Sequence, residues 1–187
     1  MANNAANVTV GKPNSRGGIW VAPLTATVPT DATTALGADF KCLGFASEDG
    51  LTNSMSYESE EVKAWGGDTV LSMQTGFTDT FSVRLIEALN EDVIKTIYNS
   101  ANVSGSLSSQ TEGLSIKANN AIRDSYIWVY ELTLGNRLKR IVIPSAKITE
   151  LGEIAYRDNE PVGYDITLTA VPDASGDCHH EYISPAQ

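Results

Sequence analysis

From Ala38 onward, most of this chain alternates apolar and small polar side chains with a period of two. Successive side chains of a β-strand point to opposite faces, so the alternation predicts strands with one apolar and one polar side. Leu51, Met55 and Tyr57 alternate with Thr52, Ser54, Ser56 and Glu58, and Leu71 and Met73 with Ser72 and Gln74. Phe77, Phe81, Val83 and Leu85 share a face opposite Thr78, Thr80, Ser82 and Arg84; Ile166, Leu168 and Ala170 oppose Asp165, Thr167 and Thr169. Residues 126–130 are apolar on both faces, the pattern of a strand covered on both sides. Strands over 137–143 and 146–156 complete the set, the second with a bulge at Gly152, and Leu134-Gly135-Asn136-Arg137 is a hairpin turn.

One segment departs from this period. Val93, Ile94, Ile97 and Tyr98 fall on one helical face, Asn90 is an N-cap, and Glu91 and Asp92 sit in the first turn, where the dipole favours negative charge. Ahead of the strands, residues 1–35 carry Pro13, Pro23 and Pro29 and no sustained periodicity. They read as an extended arm with a sticky segment at Ile19, Trp20 and Val21, or as a frayed terminus. The expected architecture is mainly β: a sandwich or partly closed barrel over 36–175. It would carry one short packed helix at 89–99, a long hairpin loop at 47–76, the arm, and a C-terminal tail at 176–187.

A chain of 187 residues can bury roughly 70% of its unfolded surface and needs no staples. The net charge of −10 argues against tight nucleic-acid binding, because phosphate contacts need clustered Lys and Arg, and no basic run exceeds Lys139-Arg140. No apolar stretch approaches the ~18 residues of a membrane span, and Met1–Asn7 has neither a basic nor an apolar leader region. The expectation is a protein made and kept in the cytoplasm until it assembles. Cys42 lies in an apolar run and is expected as a buried thiol, with no disulfide framework.

Catalytic patterns are missing. His179 and His180 are the only histidines, adjacent and near the C-terminus, where a solvated tail is expected. Asp177-Cys178-His179-His180 suggests a partial zinc set, but no second cluster supplies the remaining ligands. No Gly-x-Ser-x-Gly elbow or Gly-rich phosphate loop is present. We expect no enzyme activity, metal or cofactor. The sequence does hold Trp65 followed by Gly66 and Gly67, far from the apolar strand centres. This is either a hairpin tip carrying an aromatic anchor or a Trp capping the domain's own core.

Leu43-Gly44, Ser47-Glu48-Asp49-Gly50, the alternating strand, and Val62-Lys63-Ala64-Trp65-Gly66-Gly67-Asp68 follow one another in an order that resembles the major tail (tail tube) proteins of long-tailed bacteriophages. The strand running into a short helix over 78–97 and the closing strands to Pro172 extend the resemblance over about 35–172. It implies a structural virion protein whose rings, six copies each, stack into a tube that conducts DNA into the host. The implied partners are copies of itself, a tape measure protein, and the tail terminator and tail-tip or baseplate proteins. DNA would be in transit only and no membrane is involved. The loop would fall on about 47–76 and the arm on about 3–35. The contact residues expected between subunits are Ile19, Trp20, Val21, Glu48, Asp49, Tyr57, Val62, Trp65 and Asp68. Thr52, Ser54, Ser56 and Glu58, then Thr78, Thr80 and Ser82, are the candidates for a channel-lining face, although an outward solvent face has the same pattern. Two other readings share these features: a secreted tube protein of a type VI system, and a carbohydrate-binding β-sandwich with Trp20 or Trp65 stacked on sugar.

Overall fold

A computed structural model describes residues 3–15 and 17–186, so residues 1, 2 and 16 of the expected arm and Gln187 of the expected tail lie outside the described residues. The strands in chain order begin with β1 (Gly11–Pro13), β2 (Ile19–Pro23), β3 (Lys41–Cys42), β4 (Ala46–Lys63) and β5 (Thr69–Leu85). Helix α1 (Glu91–Tyr98) follows, then β6 (Val103–Ser104), β7 (Ser115–Ile116), β8 (Ser125–Leu134), β9 (Arg137–Leu151), β10 (Tyr164–Ala170) and β11 (His180–Ile183). Nine strands form one antiparallel sheet in the order β3-β2-β8-β9-β10-β5-β4, with β1 on β8 and β11 on β9, while β6 and β7 pair separately. The architecture is mainly β, consistent with a sandwich, and the sheet does not close into a barrel.

Two strand pairs expected from the sequence are single strands. β5 runs through both the Leu71–Met73 and the Phe77–Leu85 alternations, with a register shift at Thr75. β9 runs through Pro144, which has no N–H to give to the ladder, and the register shifts opposite it between Tyr126 and Trp128. The bulge expected at Gly152 lies instead near Thr149, between the pairs Thr167↔Glu150 and Leu168↔Ile148. β9 ends at Leu151.

β8 is the centre of the fold. Trp128 and Tyr130 face the main core with Phe81, Leu85, Ile143 and Leu168, and Val93 and Ile97 of α1 close it. Ile127 and Val129 face a second cluster with Ala22, Phe40 and Val142, covered by Val28 and Leu36. Each fully buried apolar side chain of this size contributes ~1.5–3 kcal/mol. The apolar character of 126–130 on both faces is thus explained by a second layer, and that layer is the segment 24–40.

Much of the expected arm is therefore part of the domain. β1 and β2 lie along β8, joined around Gly18, whose carbonyl accepts the Glu131 N–H at 2.8 Å. Arg140, 3% exposed, fastens the covering segment: its guanidinium pairs with Glu131 and donates to the carbonyls of Asp31 (2.7 Å) and Thr34 (2.8 Å). Asp31 shapes that loop by accepting the Thr33 and Thr34 amides, both at 2.6 Å. The C-terminal segment expected as a solvated tail also folds in. β11 pairs with β9, and Cys178 and Ser184 are buried. Cys42, expected as a buried thiol, is half-buried, and both cysteines are free.

Helix α1 follows the sequence closely. The Asn90 side chain accepts the Asp92 amide at 3.0 Å, and Glu91 and Asp92 occupy the first turn. Glu91 also ties down the following loop, accepting the Ser106 hydroxyl and the Leu107 amide at 2.6 Å each, and pairs with Lys95. The Ser106 hydroxyl first, then the Leu107 amide and Lys95, hold its carboxyl down to about 2.

Three outcomes are expected. Arg140→Ala removes one partner of a buried ion pair and should cost about 3–5 kcal/mol in urea unfolding. Tyr130→Phe should cost nothing measurable, because the buried Tyr130 hydroxyl has no hydrogen-bond partner among the described residues. Glu91 has a folded pKa below its unfolded value, so its contribution is present above the ordinary carboxylate range and lost as pH falls toward 2. Glu91→Gln should flatten that part of the stability–pH curve, measured by denaturant unfolding between pH 7 and pH 2.5.

Candidate functional site: the projecting hairpin

β4 and β5 pair along their length, from Ala46↔Leu85 at the base to Lys63↔Thr69 near the tip. On β5 burial begins at Asp79, and Thr69–Thr78 run past the edge of the core. At about 3.4 Å per residue, those ten residues project roughly 30 Å. The tip closes through Ala64, whose amide donates to the Asp68 carbonyl at 2.8 Å and whose carbonyl accepts the Gly67 amide at 3.0 Å. Gly66 and Gly67 have φ of +118° and +99°, values that L side chains rarely adopt. The Trp-Gly-Gly motif is therefore a turn signal, and Trp65 stands at 107% relative exposure. The alternative that Trp65 caps the domain's own core does not hold.

The root of the hairpin is polar and tightly held. Asp79, 1% exposed, accepts the Asn53 side-chain amide at 2.7 Å and faces Nδ1 of His179 at 2.5 Å. The His179 ring meets Phe81 edge-on at 5.2 Å. A buried carboxylate is tolerable only when paired, so these partners lock β4, β5 and the C-terminal segment together.

From Thr52 to Glu58 the even-numbered side chains of β4 form one polar face with those of β5 from Thr78 to Ser82. Thr52↔Ser82, Ser54↔Thr80 and Ser56↔Thr78 are direct cross-strand pairs, so the two sets of channel-face candidates are one hydroxyl ladder. Glu58 extends it opposite Gly76. The ladder continues onto β10 and β9 through Ser82 with Thr167 (3.1 Å) and Thr149 with Thr169 (2.9 Å). Glu48 and Asp49 are exposed in a bulge of β4 between Ala46↔Leu85 and Leu51↔Val83.

The odd-numbered face carries Met55, Tyr57 and Phe77 beyond the core, with the Tyr57 and Phe77 rings 4.9 Å apart. At Thr75 the register shifts, from Glu58↔Gly76 to Ser59↔Gln74. A one-residue bulge reverses the alternation of its strand, so Leu71 and Met73 lie beside Val62 on the opposite flank. Tyr57, Val62 and Leu71 are 62%, 43% and 50% exposed. Asp68 is exposed at the tip. Residues 46–78 hold six carboxylates and one lysine, or −5 of the chain's −10.

The remaining expected contact residues are placed elsewhere. Ile19 and Val21 are buried in the chain's own core, and Trp20 is half-buried with its Nε1 donating to the Gly17 carbonyl at 3.1 Å. Their β-branched, aromatic character is explained by pairing with β8. No helix among the described residues is long and apolar enough to cross a membrane. Asp173, Asp177 and His180 bring ligand atoms within 4.8 Å of one another, a set able in principle to touch a cation. Asp173 is already engaged there: it accepts the Ser175 and Asp177 amides and faces His180 Nε2 at 3.3 Å. These bonds, the Asp177 amide first, hold its carboxyl below the ordinary range. Cys178 and His179 turn away into the core and onto Asp79, so Asp177–His180 is not one ligand set.

A folded β-domain with a long, apolar and acidic overhang presents the kind of surface that protein contacts use. The chain belongs to the phage tail tube protein family, which matches residues 1–186, and is thus a structural component of a virion tail. No curated protein matches it.

Substituting Trp65 by Ala should change unfolding free energy by less than about 0.5 kcal/mol, since the side chain touches nothing that folding buries. Asn53→Ala should be clearly destabilising, because it strips a donor from buried Asp79, at a cost of about 1–3 kcal/mol by chemical denaturation.

Proposed function

We propose that this protein assembles through its hairpin into stacked rings, six copies to a ring, forming the tube that conducts DNA into the host cell. The observation carrying this reading is the overhang itself: ten residues of β5 and their β4 partners have no intramolecular cover. An apolar surface of this kind calls for a protein partner, and self-association satisfies it with copies already at hand. Membership of the tail tube family supports the tube as the product. The number six and the accompanying tape measure, terminator and tail-tip proteins come from the likeness noted in the sequence.

The hydroxyl ladder of β4, β5, β10 and β9 is our choice for the channel wall. Such a surface offers DNA no cations to hold it, and a six-membered ring carries 6 × −10 = −60 formal charges. At physiological salt these act on phosphates only within ~8 Å, so passing DNA is neither bound nor strongly opposed. Contacts between subunits are assigned to Glu48, Asp49, Tyr57, Val62, Trp65 and Asp68.

Concentrated purified protein, viewed by negative-stain microscopy, is expected to form hollow tubes. Trp65→Ala, or deletion of 60–68, is expected to give a folded monomer that forms none. Normal tubes from either variant would refute the hairpin's role, and a wild-type chain that stays monomeric at high concentration would refute self-assembly.

A further inference from the structure

We propose that the hairpin tip of one copy docks on a second copy in the concavity beside α1, between Tyr98, Lys117, Arg123 and Leu151; this rests on the self-assembly reading above. The concavity measures about 140 Å³, and its wall includes Asn102 and Asn119. These two amides bond to each other at 2.8 Å, and the Lys117 amide donates to the Asn102 carbonyl at 2.9 Å, so the wall is held in shape.

Charge selects this site. A concavity on the sheet face is lined by Asp49, Glu150 and Asp165 against Arg84. One beneath the 26–40 segment is lined by Asp31 and Asp39, with Arg140 already paired to Glu131. The concavity beside α1 is lined by two cations and no carboxylate. Neither Lys117 nor Arg123 makes an ion pair among the described residues. Ile122, between two lining residues, is 88% exposed, and Ile116 beside Lys117 is 41% exposed.

The hairpin tip has the opposite character: a fully exposed indole in a segment, 60–68, where exposed Glu60, Glu61 and Asp68 outnumber Lys63, with Glu60 and Glu61 on opposite faces of β4. Trp65 enters against Tyr98 and Leu151, while the acidic tip, with Glu60 on one face of the ribbon and Glu61 on the other, brings its net negative charge to Lys117 and Arg123. An aromatic anchor in a pocket with charges at its rim is the arrangement that gives an interface both affinity and register.

The test compares full-length variants by sedimentation and microscopy, with circular dichroism to verify folding. Lys117→Glu/Arg123→Glu is expected to reduce sedimentable assembly at least tenfold. Lys12→Glu/Lys41→Glu makes the same change in net charge at exposed positions elsewhere and is expected to assemble normally. Combining Lys117→Glu/Arg123→Glu with Glu60→Lys/Glu61→Lys in one chain is expected to recover at least half of the lost assembly. If the glutamate pair disturbs folding, Lys117→Gln/Arg123→Gln replaces it, with the same expected loss. Normal assembly of the Lys117/Arg123 variant while Trp65→Ala fails overturns the docking site and leaves the hairpin reading intact. Normal assembly of both overturns both. An equal loss in the Lys12/Lys41 control, or no recovery in the combined variant, also overturns the site.

Discussion

The buried carboxylate of Asp79 fixes where the folded body of this protein ends. A charge removed from water must be met by polar partners, and Asp79 finds them in Asn53 of β4 and His179 of the C-terminal segment. On one side of this cluster the odd-numbered β5 residues Phe81, Val83 and Leu85 enter the core; on the other, Phe77 faces outward on the same flank. The pleat continues unchanged while its surroundings change from protein to solvent. The hairpin is thus a direct extension of the domain's own sheet, held rigidly at its root.

A second constraint acts at the opposite side of the sheet. β8 is buried on both faces, so its outer face needs a cover, and the chain supplies one from the segment between β2 and β3. Arg140 makes that cover specific, because its guanidinium is satisfied only when the Asp31 and Thr34 carbonyls are in place. The proline-bearing N-terminal region thereby becomes a structural layer, and the hairpin is left as the main uncovered apolar element.

The strands and α1 were legible because burial imposes its period on side chains: alternation marked β4, β5 and β10, and Asn90 with its acidic first turn marked the helix. The Trp-Gly-Gly tip was legible because positive φ demands glycine. Other features depend on contacts distant in sequence. Ile19-Trp20-Val21 looked like a docking segment because its partner, β8, lies more than a hundred residues away. His179 looked solvated for the same reason, with Asp79 exactly 100 positions earlier. The Thr75 bulge left no mark beyond a break between two alternations, which read as two strands. Lys117 and Arg123 lie in a stretch without strong periodicity, and only the fold brings them to Tyr98 and Leu151.

The bulge at Thr75 has a consequence for the free subunit. It leaves greasy side chains on both flanks of the ribbon, Tyr57 and Phe77 on one and Val62 and Leu71 on the other, so no single flat partner can cover them all. Apolar side chains so exposed invite unselective contact, and Glu58, Glu60, Glu61 and Asp68 stand among them. Like charges on two such ribbons repel, so these carboxylates oppose contact between one hairpin and another and favour a surface that carries positive charge.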